Sequence, residues 1–303
     1  MKIAYIMGRG HNGSTVTDLI LGNHADILAT GEMNSGLGKG NVCSCGKSIR
    51  ECEFWSQVIR RFEEHHPDLG FDGYVRQLRY IDRFWRIPQL ITGIGLPGWF
   101  RTSYIQAEKK LFEILSNQGN SKVVFDSSKA FGRAAFMLSS LPNDAIVFYL
   151  VRDARGIIWS HIKRFEKQGA YKFLRKKYRP KSAWPIIISS AIAILGGEMV
   201  TLLLKSLYGK RIVTIRYEDI CTDPEKTLKI IGDRLDVDTK EIASRIENGV
   251  PFDINHVIGG NHMRMKGNFV FQRDFKWKEE MPKRYSSAIN IITFPYQKIH
   301  SYF

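Results

Sequence analysis

Residues 2–15 read KIAYIMGRGHNGST, and this stretch decides how the rest of the chain is read. Residues 2–7 are a short run of β-branched, apolar and aromatic side chains, the composition of a buried strand. The glycine-rich turn Gly8-Arg9-Gly10-His11-Asn12-Gly13 follows at once. From residue 14 to about 23, Val16, Leu19 and Ile20 recur at helical spacing, with Asp18 expected on another face. Strand, glycine loop and helix in that order make a phosphate-binding turn. Glycines let successive backbone N–H groups point into one concavity, and the helix N-terminus adds positive potential. The spacing from Gly8 to Thr15 is that of a P-loop, G-x4-G-x-[ST], but Ser14 stands where a nucleoside triphosphatase carries lysine. ATP or GTP hydrolysis is therefore disfavoured. A grip on one 5′-phosphate and the group attached to it still fits.

The alternation of strand and helix continues downstream. Residues 122–125, 145–151 and 211–215 read as strands, and 131–140 and 154–167 as helices. Asp223-Pro224-Glu225 is a helix start, with Asp as cap and Pro at the first helical position. This pattern predicts an α/β fold, a P-loop-like parallel sheet flanked by helices. Helical patterns at 55–66, 74–85 and 103–118 lie in a long insertion, about 34–120. No internal repeat or low-complexity linker divides the chain, so it reads as a single domain, 1–303, with helical insertions.

Arg152 falls at the C-terminal end of the apolar strand 145–151, the edge at which such sheets hold ligands. Ser160 lies eight residues on, about two helical turns away. A guanidinium binds phosphate bidentately and a hydroxyl adds a donor, so this pair is suited to a second phosphate.

Lys and Arg number 45 against 30 Asp and Glu, a net charge of +15. Such a field attracts anions: nucleic acid, anionic lipid, acidic glycans or phosphorylated cofactors. With 44% hydrophobic and 25% charged residues, the composition is that of a soluble globular protein with a sizeable core. The cysteines, Cys43, Cys45, Cys52 and Cys221, are too few for a disulfide framework. The first three form a compact cluster. A structural or redox-sensitive pair is the expectation there; zinc, with a fourth ligand such as His65, is the alternative. The N-terminal apolar run is too short for a secretory signal, and a cytoplasmic location is expected. Residues 183–204 are nearly all apolar and follow the basic run KFLRKKYRPK (172–181). Their length permits a membrane span. Glu198 and the Gly196-Gly197 pair favour a buried helix, or one dipping into a membrane surface.

Four segments together carry a family resemblance: the loop GRGHNGST (8–15), the arm VRDARGIIWSHIKR (151–164), IRYEDICTDPEKTLKIIG (215–232) and GGNHMRMKGN (259–268). In this order and spacing they resemble the PAPS-dependent sulfotransferases, PAPS being 3′-phosphoadenosine 5′-phosphosulfate. The likeness is closer to the bacterial and Golgi-type branch, in which a His-Pro motif after the loop helix leads to Gly-Glu. The counterpart here is Asn23-His24-Ala25-Asp26 leading to Thr30-Gly31-Glu32. The resemblance implies that Gly10, Asn12, Gly13, Ser14 and Thr15 hold the 5′-phosphosulfate, and that Arg152 and Ser160 hold the 3′-phosphate. It makes Tyr217 part of a mainly structural Arg-Tyr-Glu-Asp motif. It makes Asn261, Arg264, Lys266 and Gly267 a basic loop over the nucleotide. Relatives commonly carry Lys or Arg at the position of His11. Here the charge on the leaving oxygen falls to His11, protonated or as a neutral donor, or to Arg9 with the helix dipole.

By the same resemblance Glu32 is the first candidate for the base that takes the acceptor proton. Asp126 and Lys129, in Asp-Ser-Ser-Lys, are candidates to orient the acceptor and stabilise charge. No metal is expected for the transfer, and no nucleic-acid partner. The acceptor class stays open. Basic charge suits a glycan or other anionic molecule, whereas the 183–204 stretch with Trp99 and Phe100 suits a lipid-linked or hydrophobic one, with peripheral membrane contact. Two other functions stay open beside this one: a nucleotide or small-molecule kinase on the same loop, and a non-catalytic binder of polyanions or membrane surface.

Overall fold

The structure, a computed structural model, describes residues 1–38, 40–168 and 182–303. At its centre is a five-stranded sheet of β1 (Lys2–Gly8), β2 (Ile27–Gly31), β3 (Val123–Lys129), β4 (Ala145–Val151) and β5 (Ile212–Arg216). All pairings are parallel and the order is β2-β3-β1-β4-β5. The expected α/β architecture is present, a parallel sheet flanked by helices.

Between β1 and β2 runs α1 (Ser14–Leu21). The insertion after β2 carries α2 (Met33–Gly36), α3 (Glu53–His65), α4 (Gly70–Ile81), α5 (Ile87–Thr92) and α6 (Gly98–Gly119). After β3 comes α7 (Phe131–Ser140), and after β4 come α8 (Ala154–Gln168) and α9 (Trp184–Tyr208). Beyond β5 lie α10 (Tyr217–Thr222), α11 (Pro224–Leu235), α12 (Lys240–Glu247), α13 (Trp277–Glu280), α14 (Lys283–Ile292) and α15 (Phe294–Ile299). At the start of α11 Pro224 is the first helical residue, and the Asp223 side chain accepts the Lys226 amide at 3.1 Å, as expected of that cap.

Side-chain alternation explains why the sheet is covered on both faces. In β1, Ile3, Tyr5 and Met7 enter the core beneath the insertion, while Ala4 and Ile6 enter the core beneath α1 and α11. In β4, Val147, Tyr149 and Val151 take the first side, and Phe148 and Leu150 the second. β2 was not anticipated from the sequence. Its five residues, ILATG, are too short to show a period, and tertiary pairing with β3 makes them a strand. The insertion, expected at about 34–120, follows β2. α4 also begins and ends four residues earlier than its pattern suggests, because Phe84–Arg86 forms a separate 3₁₀ turn.

The apolar stretch at 183–204 is α9, long and apolar enough to cross a membrane, with 44% of its most apolar window buried against the protein. Glu198 faces inward. Its Oε2 accepts hydrogen bonds from Tyr149 Oη and His300 Nε2, each at 2.8 Å. Ile188, Ile192, Met199 and Leu203 lie on the other side and are exposed. The basic run at 172–181 lies outside the described residues.

Candidate active site

The carboxyl ends of all five strands contribute to one region, as expected where a parallel sheet builds outward on both sides of its first strand. β1 delivers the loop 8–13, β2 Glu32, β3 Lys129, β4 Arg152 and β5 Tyr217. The loop leaves β1 with Gly8 level with Leu150 of β4. Asn12 turns back and donates from Nδ2 to the Leu150 carbonyl at 2.8 Å, while its Oδ1 accepts the Ser14 amide at 3.2 Å. The Asn12 side chain is fully buried, so it staples the loop to the sheet; only its backbone is left for a phosphate. Gly13 has φ +97°, and a Cβ there would stand 2.3 Å from the Tyr217 ring. Only glycine fits that turn. Tyr217 therefore shapes the loop from behind, in keeping with a structural part.

Thr15 stands in the first turn of α1 and its Oγ1 accepts the Asn261 amide at 3.4 Å. The segment 257–264 thus lies across the loop. A Cβ built on Gly260 would be 3.2 Å from both Thr15 Oγ1 and Glu32 Oε1, which fixes how near these two groups are. Thr15, Asp18, Glu32, Ser127, Gly260 and Arg264 line one small cleft. The Glu32 amide donates to Ile258 O at 2.7 Å, and the Ile258 amide to Thr30 O at 3.0 Å. Arg264 is half-buried here, near Glu32 and Cys43. Lys266 and Gly267 are exposed, and Lys266 lines a second cleft of about 250 Å³ with Val16, Met263 and Phe269.

Lys129 ends β3 in the left-handed conformation, φ +72°, which costs a non-glycine residue about 1–2 kcal/mol. That geometry turns its ammonium onto Glu32 Oε1 in a close, largely buried ion pair. Its charge also reaches His11, which has φ +66°. Burial first, then the positive charges of Arg164, Lys129 and Arg152, bring the His11 pKa down to about 4. In the unliganded protein this disfavours the protonated form of His11. His161, edge-on to His11 with ring centroids 4.8 Å apart, is depressed to about 3, by burial first. Arg9 is half-buried and adds to that depression, which places it beside His161. Lys129 thus pairs with Glu32 while its charge reaches His11.

Asp126, expected to orient the acceptor, is fully buried and committed elsewhere. Its Oδ1 accepts from the Ser128 amide at 2.9 Å, and Arg133 Nε lies 3.0 Å from its Oδ2. Arg133 also reaches Glu108 at 2.9 Å, and Glu108 accepts from the hydroxyls of Tyr74 and Tyr104. This fully buried network ties β3 and α7 to the insertion. Conversely Asp18, expected on another face, is 1% exposed and lines the cleft. Burial first, and repulsion from Asp126, push its carboxyl well above the usual range. The sequence signal for it was faint: an acid one turn into the helix that opens on the loop.

Arg152 and Ser160 are brought together around one turn of α8. Ser160 Oγ donates to Gly156 O at 2.9 Å, and a Cβ on Gly156 would stand 3.0 Å from Arg152 Nε. Arg152 is engaged, but not by its neighbour Asp153, which pairs with Arg155 at 2.6 Å. The Arg152 guanidinium donates to His11 O at 3.0 Å and to Asp274 Oδ2 at 2.9 Å, and stacks over the Tyr217 ring at 4.7 Å. Asp274 is half-exposed. An anionic carboxylate thus occupies the position expected for a phosphate.

Among solved structures the chain is similar to the sulfotransferase domain from the Synechococcus PCC 7002 olefin synthase. The two are 17% identical, with a TM-score of 0.52 over 100% of this chain and 95% of that one. It is also similar to sulfotransferase STF9 from Mycobacterium avium, 12% identical, with a TM-score of 0.51 over 98% of this chain and 76% of that one. At such identities the likeness is one of fold, and the chain has the fold of the sulfotransferases. No protein-family model matches the sequence, and no curated protein matches it.

Proposed function

We propose that the chain is a sulfotransferase that moves a sulfuryl group from PAPS to a hydroxyl or amine. The observation that carries this reading is the convergence of the Glu32–Lys129 pair on the mouth of a phosphate loop without a Walker lysine. In a kinase or triphosphatase the cation comes from the loop itself. Here it comes from the end of β3, beside a carboxylate.

The donor's 5′-phosphosulfate rests on the amides of residues 12–15 and the α1 N-terminus. Glu32 accepts the acceptor's proton as the acceptor oxygen or nitrogen bonds to sulfur. The bond from sulfur to the 5′-phosphate oxygen breaks, and the electron pair stays on that oxygen. Lys129 and the helix N-terminus stabilise the charge that develops there. His11 contributes a hydrogen bond. Arg152, with Ser160, takes the 3′-phosphate once Asp274 yields. The acceptor is a small molecule, glycan or lipid-linked compound; the exposed apolar face of α9 favours one presented at a membrane surface.

Thermal unfolding with added nucleotide tests the donor class. 3′,5′-ADP is expected to raise the midpoint by several degrees, well beyond 5′-AMP at equal concentration. Stabilisation by ATP with magnesium but not by 3′,5′-ADP would sink the reading in favour of a kinase. Stabilisation that ignores the 3′-phosphate and collapses with salt would favour a non-catalytic polyanion binder.

A further inference from the structure

Cys43, Cys45 and Cys52 lie outside the chemistry above, yet they are not scattered. The histidine that joins them is His256, from a segment 204 residues beyond Cys52, and not His65, whose Nδ1 bonds to Arg61 O at 2.8 Å. The three sulfurs and one ring nitrogen of His256 all lie within 4.8 Å of one another. Cys43 Sγ is 3.7 Å and Cys52 Sγ 3.2 Å from His256 Nδ1. A tetrahedral zinc at ordinary bond lengths requires S···N edges of about 3.6 Å and S···S edges of about 3.8 Å. The four atoms need to move by only a few tenths of an ångström to about 1 Å to meet that figure.

Backbone amides face the sulfurs. Cys43-Ser44-Cys45-Gly46 forms a tight turn in which Gly46 has φ +87° and its amide donates to Cys43 O at 2.9 Å. The turn aims the Cys45 amide at the Cys43 sulfur and the Lys47 amide at the Cys45 sulfur. Amides donating to sulfur stabilise metal-bound thiolate and hold it in place. Three thiolates, a neutral histidine and a divalent ion sum to −1, and Arg264 stands near Cys43 to offset it. The histidine is held from outside the cluster. Trp55 Nε1 donates to His256 O at 2.7 Å, and the Phe54 ring stacks on the imidazole at 5.7 Å. Cys43 and Cys52 are buried while Cys45 is exposed, which leaves a path for the ion. Three thiols and one imidazole nitrogen within 4.8 Å of one another make a donor set of the type that suits zinc.

We infer that Cys43, Cys45, Cys52 and His256 form a structural zinc site. It clamps the start of the insertion to the segment 254–264. That segment reaches Glu32 through Ile258 and Thr15 through Asn261, so the ion fixes one wall of the cleft without touching the reacting atoms.

Protein purified without chelator is expected to carry about one zinc per chain by elemental analysis. Metal-stripped wild type titrated with Co²⁺ should develop thiolate-to-cobalt charge-transfer absorption and tetrahedral d–d bands, saturating at one equivalent and displaced by zinc. Cys52→Ser should abolish these bands, and His256→Ala should weaken cobalt binding at least tenfold. Zinc removal should raise amide hydrogen exchange at 254–264 and leave β4 protected. The idea is overturned if stripped wild type stays colourless with cobalt. Peptide mapping that finds a Cys43–Cys52 disulfide in protein isolated anaerobically would equally overturn it. Because these measurements use no nucleotide, they stand or fall independently of the sulfotransferase reading.

Discussion

Lys129 and Glu32 form a pair whose two members are proposed to do opposite things to charge, so their substitutions separate. Glu32→Gln keeps the size of the side chain and its hydrogen bond with Lys129 but cannot take a proton. It is expected to bind 3′,5′-ADP as wild type does and to lose transfer by about 10²–10⁴-fold. Lys129→Met should lower kcat by about 10²–10³-fold with little change in acceptor KM, because it stabilises a charge present only in the transition state. Full transfer activity in either variant, measured with a radiolabelled donor, would remove that residue from the mechanism. At this scale the sequence was legible where function is local. Gly13, Ser14 and Thr15 announce a loop by spacing alone. It misled where two residues far apart decide the matter. Asp126 looks catalytic at a strand end until Arg133 turns in from α7, and His256 cannot be paired with Cys43 before the chain has folded.

The Arg152 arm acts as an element, made of the end of β4, the first turns of α8 and the segment around Asp274. Arg152 already carries its counter-charge, so the proposed nucleotide binding requires an exchange of carboxylate for phosphate. Asp274→Asn should therefore tighten 3′,5′-ADP binding by about tenfold, roughly 1.4 kcal/mol, and leave 5′-AMP unchanged. Calorimetric titration of both nucleotides reads this directly; equal changes for the two would dissociate Asp274 from the 3′-phosphate. The arm was visible in the sequence as Arg and Ser two helical turns apart. Its occupant was not, since Asp274 is 122 residues away. β2 was equally hidden, for a different reason. A strand of five residues buried by its neighbour has no period of its own.

For the molecule as a whole, a net charge of +15 and the exposed face of α9 combine into one expectation. Ile188, Ile192, Met199 and Leu203 repeat every four or seven residues and form a stripe, while Glu198 anchors the opposite side through Tyr149 and His300. Apolar contact added to anionic attraction is the usual basis of surface binding. Flotation with anionic vesicles should carry wild type upward, and Ile192→Glu with Met199→Glu should leave it at the bottom while 3′,5′-ADP still stabilises it. Retention of vesicle binding in that double variant would leave charge alone as the cause. The segment 296–302 braces the ends of β4 and β5. Arg152 O accepts from Tyr296 Oη at 2.9 Å, Asp153 from Gln297 at 3.1 Å, and Glu218 from Tyr302 at 2.7 Å. Groups on residues 296–302 therefore set the backbone of the β4 arm from far along the sequence. The arm's geometry is thus a long-range property of the chain, and cutting before Tyr296 is expected to loosen it.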